Sequence, residues 1–75
     1  MAVAFVLINT EMGSEGEVLR AVREIEGVKE AHLVFGVYDI VAKIEADPFD
    51  KIKEIVRWRI QQLKVHSTLT LIVSE

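Results

Sequence analysis

The segment AVAFVLI, residues Ala2–Ile8, decides the fold of this chain. It is apolar throughout and rich in β-branched and aromatic residues, and it ends at Asn9-Thr10, ahead of Gly13. A short apolar run bounded by turn residues is typical of a strand that is buried on both faces. We therefore predict a first strand that carries apolar side chains on both faces of a sheet.

The segment after this strand has the pattern of an amphipathic helix. Its apolar residues recur at helical spacing over residues 14–26. Ser14 and Glu17 have the spacing of a capping box, in which each side chain bonds the backbone N–H of the other residue. Gly27 suits the left-handed position that ends many helices.

The rest of the chain alternates between strand and helix patterns. Alternating apolar residues predict half-buried strands, and Asp47 followed by Pro48 is typical of a helix start. The predicted segments are a strand over 28–35, a turn over 36–39, a strand over 40–46, a helix from Asp47-Pro48, and a strand over 65–73.

The predicted order β-α-β-β-α-β belongs to the α+β class and indicates a ferredoxin-like sandwich. Right-handed crossovers place two helices on one face of a four-stranded antiparallel sheet. In the usual strand order, 4-1-3-2, the first strand is central. Its second apolar face then has no cover within the chain, and an uncovered apolar sheet face predicts a homodimer that packs sheet against sheet.

Composition agrees with a chain that buries part of its surface against another copy. The chain has 75 residues, which we expect to form one domain over residues 1–75. Hydrophobic residues make up 51% of them, although a small domain has little interior in which to bury them. There is no cysteine to form a disulfide or a thiolate metal site.

The charge and hydropathy patterns exclude several classes of partner. A net charge of −3 does not support nucleic-acid binding by charge alone. The longest apolar run, Met1–Ile8, is far shorter than the ~20 residues of a membrane helix. No Lys or Arg precedes Arg20, whereas a secretory signal begins with positive charge. We expect a soluble, cytoplasmic protein without a membrane or direct nucleic-acid partner.

Few residues are suited to catalysis or metal binding. We expect His32 and His66 on opposite edge strands, and we therefore predict no metal site within one chain and no cofactor. We predict no catalytic residue, since Asn9 and His66 offer little for the polar pocket of a small dimeric monooxygenase.

Trp58 falls outside the inward stripe of the second helix and lies either on a neighbouring side chain or against another subunit. We interpret the basic residues of that region as a solvated helix face: Lys51, Lys53, Arg57, Arg59 and Lys64.

Two short motifs are candidate ligand contacts. The turn Gly36-Val37-Tyr38-Asp39 offers free backbone N–H groups for a carboxylate and the Asp39 carboxylate for an ammonium group. Thr68 and Thr70 offer two hydroxyls on one strand face. Each motif also has a purely structural interpretation, as a hairpin turn and as threonines that favour a strand.

Together these motifs resemble a known family. The segments VKEAHLVFGVYDIVAKIEAD (residues 28–47) and VHSTLTLIV (residues 65–73) are similar to the ligand-binding domain of the Lrp/AsnC regulators, also called the RAM domain. The most specific parts are the Gly-x-Tyr-Asp turn and the Thr-x-Thr of the last strand. The chain begins at the first strand of that domain, and so it resembles the members without a helix-turn-helix.

The resemblance implies a function in amino-acid-responsive transcription regulation. It implies dimers that assemble into rings, commonly octamers or decamers, and a small amino-acid effector held between dimers. By this resemblance Gly36, Tyr38 and Asp39 hold the main-chain end of the ligand, Thr68 and Thr70 line the site, and Val37 replaces a residue that is often polar. We hypothesise that such a module co-assembles with full-length Lrp/AsnC regulators.

Two other functions remain open from the sequence. One is an ACT-like regulatory module, which has the same topology and modulates a metabolic enzyme. The other is a small dimeric enzyme of the monooxygenase type.

Overall fold

The computed structural model describes all 75 residues and has the predicted βαββαβ order. Its four antiparallel strands lie in the order β2-β3-β1-β4, so the first strand is central as predicted and the ferredoxin-like α+β fold is confirmed. The elements are β1 (Ala2–Thr10), α1 (Glu15–Arg23), β2 (Val28–Leu33), β3 (Ile40–Ala46), α2 (Asp50–Ile55), a π-helical segment (Val56–Ile60) and β4 (Val65–Ile72).

The two faces of β1 have different surroundings. Ala4, Val6 and Ile8 are fully buried in the core between the sheet and the helices. The alternate residues of β1 point to the other face of the sheet because successive side chains of a strand alternate. Of these, Phe5 is still 38% exposed. The prediction of a first strand with one covered and one uncovered apolar face is confirmed.

The first helix is shorter than predicted and lacks the capping box. It covers Glu15–Arg23, and Ser14 makes no side-chain hydrogen bond to the helix end. The backbone of Ser14, with φ −100° and ψ 6°, is outside the extended conformation that a capping side chain normally requires. The capping-box prediction for Ser14 and Glu17 was therefore wrong. Gly27 does have a positive φ of 100°, as expected after a helix.

The second helix begins three residues after the predicted start at Asp47. Pro48 and Phe49 belong to a turn, in which the carbonyl of Pro48 accepts a 2.9 Å bond from the N–H of Lys51. The helix then widens, since the N–H of Gln61 donates to the carbonyl of Val56 at 2.9 Å, five residues back. Neither helix is long and apolar enough to cross a membrane.

The second strand ends at Leu33, two residues before the predicted Phe35. The chain leaves the sheet there and returns at Ile40 through a loop over 34–39, which we call the hairpin loop. A 2.9 Å bond from the N–H of Val34 to the carbonyl of Asp39 closes this loop. Gly36 has a φ of 133°, a conformation that favours glycine. Phe35 is fully exposed because the loop carries it away from the sheet.

Candidate functional site

The six predicted ligand contacts lie at two separate places in the chain. Four of them, Gly36, Val37, Tyr38 and Asp39, belong to the hairpin loop between β2 and β3. Thr68 and Thr70 lie on β4, beside Ile8 and Val6 of β1. Since β1 separates β3 from β4, the chain does not bring the two groups into one cavity.

The hairpin loop lies at the surface, and its backbone is accessible at Gly36. No atom lies within 4 Å of the position that a Cβ of Gly36 would occupy. Val37 is exposed and Tyr38 is half-buried. A shallow cavity of about 400 Å³ lies beside the loop, and its lining includes Glu15, Leu33 and Asp39. This surface is accessible to a ligand or to another chain.

The Asp39 side chain has a partner within the fold. Its Oδ2 accepts a 2.9 Å bond from the backbone N–H of Thr10 and a 3.3 Å bond from the Thr10 hydroxyl. The backbone N–H of Asp39 donates to the carbonyl of Ile8 at 2.9 Å. Oδ1 of Asp39 has no hydrogen-bond partner in the chain, so one carboxylate oxygen remains available to a ligand.

The second group of predicted contacts lies in a groove between α2 and β4, which we call the β4 groove. Two helices cover four strands incompletely, and β4 is the edge strand that they leave half-open. Thr70 lines the groove directly, while the Thr68 hydroxyl accepts a 3.4 Å bond from Nε2 of Gln61 at one end. The groove has a volume of about 580 Å³ and is lined by Phe49, Ile52, Lys53, Val56, Arg57, Gln61, Thr70 and Ile72.

The β4 groove is positively charged, which the sequence interpretation missed. Lys53 and Arg57 are its charged lining residues, and no acidic residue lines it. The Lys53 Nζ lies 5.4 Å from the ring centre of Phe49. The signal was present in the sequence, since Phe49, Lys53, Arg57 and Gln61 recur every four residues and so share one face of a helix.

The uncovered sheet face carries large apolar side chains along β1 and β4, and we call it the open sheet face. Val41, Leu7 and Leu69 form one row across β3, β1 and β4. In the next row Leu71 lies beside Phe5. The exposed fraction is 44% for Leu69 and 50% for Leu71. No element of the chain covers this face.

Charged residues of β2 and β3 border the apolar rows of the open sheet face. Glu30 and His32 pair with Lys43 and Val41 of β3 and so lie on the same side of the sheet. The His32 Nε2 lies 2.9 Å from Oε1 of Glu30. The hydrogen bond from His32 lowers the pKa of Glu30 below its ordinary value. An apolar surface with a charged border is typical of an interface between protein chains.

The two histidines lie on the predicted strands, and Trp58 lies at the surface of the π-helical segment. His32 lies on β2 and His66 on β4, the two edges of the sheet, as predicted. Trp58 is 61% exposed, and the guanidinium carbon of Arg57 lies 5.4 Å from its ring centre. Trp58 thus lies against a neighbouring side chain and still offers most of its surface.

Comparisons with known proteins agree with this fold. An HTH-type transcriptional regulator from Pyrococcus furiosus is 34% identical over 73 residues, which cover 92% of this chain and 49% of the regulator. The chain thus spans about half the length of that relative. The crystal structure of a Thermus thermophilus protein is 30% identical and has a TM-score of 0.96, with 100% of this chain and 95% of that one covered.

A more distant likeness concerns the fold alone. A transcriptional regulator from Neisseria meningitidis, solved as a complex with L-methionine, is 14% identical with a TM-score of 0.86. The match covers 99% of this chain and 50% of the regulator.

The family model described as the Lrp/AsnC ligand binding domain matches residues 3–75, which is nearly the whole chain. This chain therefore belongs to the Lrp/AsnC ligand-binding domain family.

Proposed function

We propose that this chain is an amino-acid-sensing and oligomerisation module of transcription regulation. In this proposal residues 1–75 act as one domain that pairs with a second copy through the open sheet face. A small amino acid binds between such pairs and changes their assembly. The contacts with the ligand are Gly36, Val37, Tyr38, Asp39, Thr68 and Thr70.

The open sheet face carries this proposal. Phe5, Leu69 and Leu71 are large apolar side chains that remain 38–50% exposed on the face opposite the helices. Burial of apolar surface contributes about 25 cal/mol per Å². A second sheet packed on this face would bury these side chains, and the dimer would be stabilised by each of them. Two such faces are self-complementary, which suits a twofold dimer.

The separation of the two groups of contacts supports a ligand site between copies. The hairpin loop holds the backbone N–H groups and the free Oδ1 of Asp39, while the threonine hydroxyls lie in the β4 groove. The groove is open on one side, and small-molecule sites bury most of their ligand. A hairpin loop from another copy, placed over the β4 groove, would close the groove and bring both groups to one ligand.

The family favours this function over the two alternatives from the sequence. Its model describes a ligand-binding domain of regulators, so we propose a non-enzymatic role without a cofactor rather than a monooxygenase or an ACT-like module. Such a module would act in the cytoplasm, without direct contacts to nucleic acid. It would form rings of four or five dimers and would co-assemble with full-length Lrp/AsnC regulators.

Light scattering and calorimetry test this proposal together. We expect light scattering to give a mass of at least two chains and a change in mass when the effective amino acid is added. Titration calorimetry with the twenty amino acids should give heat for at least one of them. A folded sample that remains a single chain contradicts the pairing, and a sample that gives no heat with any amino acid contradicts the ligand.

A further inference from the structure

We propose that the β4 groove selects a ligand with an acidic side chain, such as glutamate or aspartate. This inference rests on the proposed function, because it names the class of amino acid that the module binds. It depends on the charge of the groove, on the absence of a carboxylate partner for that charge within the chain, and on the arrangement of the polar groups in the groove.

The two cations of the groove are not neutralised within the chain. The chain has four ion pairs, and neither Lys53 nor Arg57 takes part in any of them. No carboxylate lines the groove, although the chain as a whole has a net charge of −3. A concave surface with two unpaired cations in an acidic protein attracts an anion.

Both cations lie on one face of the helical segment that borders the groove. Lys53 and Arg57 lie one turn apart on the same helix face, and Gln61 continues the line. Phe49 lies beneath the Lys53 ammonium, with 5.4 Å from Nζ to the ring centre, and this contact holds the side chain over the groove. The cations therefore border an apolar floor that includes Ile52 and Val56.

The groove presents polar groups on two sides, Thr70 on β4 and the two cations on the helical segment. Thr70 lies on the β4 wall, opposite the helix that carries the cations. A carboxylate between Lys53 and Arg57 would accept charge-assisted hydrogen bonds, the stronger kind. The apolar floor suits the methylene groups of the same side chain. A neutral side chain would leave both cations without a carboxylate, with only their contacts to Phe49 and Trp58.

Matched ligands test the selectivity by calorimetry on the whole chain. Glutamate and glutamine have nearly the same shape and differ in one charge, as do aspartate and asparagine. We expect the acidic member of at least one pair to bind about tenfold or more tightly than its amide. Methionine provides a neutral apolar comparison.

Variants then assign the selectivity to the groove. Lys53→Met and Arg57→Met keep the length of the side chain and remove the charge, and each should weaken binding of the acidic amino acid about tenfold with little effect on the amide. Arg59→Met is the matched control. It removes an exposed cation of the same helix that lines a different, shallow cleft beside Trp58, and it should leave the preference unchanged.

Three results would overturn the inference. Equal or tighter binding of an amide or of methionine removes the acidic selectivity and leaves the proposed function standing. Absence of heat with every amino acid removes both the inference and the ligand of the proposed function. A preference for the acidic amino acid that persists unchanged in both Lys53→Met and Arg57→Met places the selectivity outside the groove.

Discussion

The carboxylate of Asp39 holds the end of the central strand through Thr10. Its Oδ2 accepts bonds from the backbone N–H of Thr10 at 2.9 Å and from the Thr10 hydroxyl at 3.3 Å. Thr10 is the one buried polar residue of the chain, with 6% of its surface exposed. The hairpin loop that is predicted to contact the ligand is therefore attached to the core by the same side chain that would recognise an ammonium group.

This attachment predicts different effects for two substitutions of Asp39. Asp39→Ala leaves the Thr10 N–H without its partner, and we expect it to lower the free energy of unfolding by about 1–3 kcal/mol. Asp39→Asn keeps an acceptor oxygen and should lose much less stability, while its lost charge weakens binding of an amino-acid ammonium group. Urea denaturation measures the first effect and calorimetry the second.

Asp47→Ala is the control for the stability measurement. Asp47 is exposed and makes no hydrogen bond or ion pair, so its replacement should change the free energy of unfolding little. Equal unfolding midpoints for Asp39→Ala and Asp47→Ala would show that the Thr10 bond does not contribute to stability.

Alanine substitutions at two glycines distinguish the cost of backbone strain from the cost of a steric clash. Gly13 and Gly27 both have positive φ, 84° and 100°. A Cβ on Gly13 would meet no atom within 4 Å, whereas one on Gly27 would lie 2.9 Å from Cδ1 of Ile55, which is buried. We expect Gly13→Ala to cost about 1–2 kcal/mol from the backbone alone. Gly27→Ala should cost about 1 kcal/mol more, since the core must also move.

Thermal and urea denaturation of both variants measure this difference. Equal losses would mean that Ile55 moves aside without cost and that the contact between Gly27 and α2 is not tightly packed.

The sequence predicted the fold well because the fold follows from periodicity. The apolar run of Ala2–Ile8 required a central strand, and alternation over 40–46 required a half-buried neighbour. The helix ends were less accurate, since they depend on backbone angles. Ser14 and Asp47 are suitable capping residues by type, but the observed backbone at Ser14 and the turn that follows Asp47 prevent them from capping.

The candidate site was only partly predictable. The hairpin loop and the threonines are local motifs, and their positions on the elements were predicted from the sequence. The bond between Asp39 and Thr10 joins residues 29 positions apart and depends on the register of β1 with β3. The β4 groove exists because two helices do not cover all four strands, which is a property of packing rather than of any short segment.

The pair of Glu30 and His32 predicts a specific pH dependence. The His32 hydrogen bond lowers the pKa of Glu30 below its ordinary value of 4.5. The unfolded chain then binds more protons than the folded chain between the two pKa values, so stability rises with pH in that interval. The contribution of this pair is present above about pH 4.5 and is lost as the pH falls through the folded-state pKa of Glu30.

An NMR titration of the Glu30 side chain measures this effect directly. His32→Ala should return the pKa of Glu30 towards 4.5. His66→Ala, on the opposite edge strand, should leave it unchanged. A pKa of Glu30 that does not respond to His32→Ala would assign the shift to the other positive charge that lowers it, that of Lys43.

If copies pair through the open sheet face, one lysine placed in that face should dissociate them. Leu69 lies beside Leu7 in the centre of this face and is 44% exposed. In a sheet-to-sheet dimer, Leu69→Lys places an ammonium group in an apolar interface, where an unpaired charge is strongly unfavourable. We expect the variant to remain folded, because Leu69 is outside the core, and to weaken pairing by about 2 kcal/mol or more. Light scattering over a range of concentrations should then give a lower mass than that of the wild type at the same concentration.

Met12→Lys provides the matched control for Leu69→Lys. Met12 is 97% exposed in the turn after β1 and lies away from the sheet face, so the same added charge there should leave the assembly intact. If Leu69→Lys and Met12→Lys give the same mass as the wild type, the copies do not pair through this face, and the apolar rows of β1 and β4 require a different partner. If both variants dissociate, net charge rather than the location of the lysine controls assembly. Dissociation of Leu69→Lys alone assigns the interface to the open sheet face, because burial against a second sheet is what distinguishes the two positions.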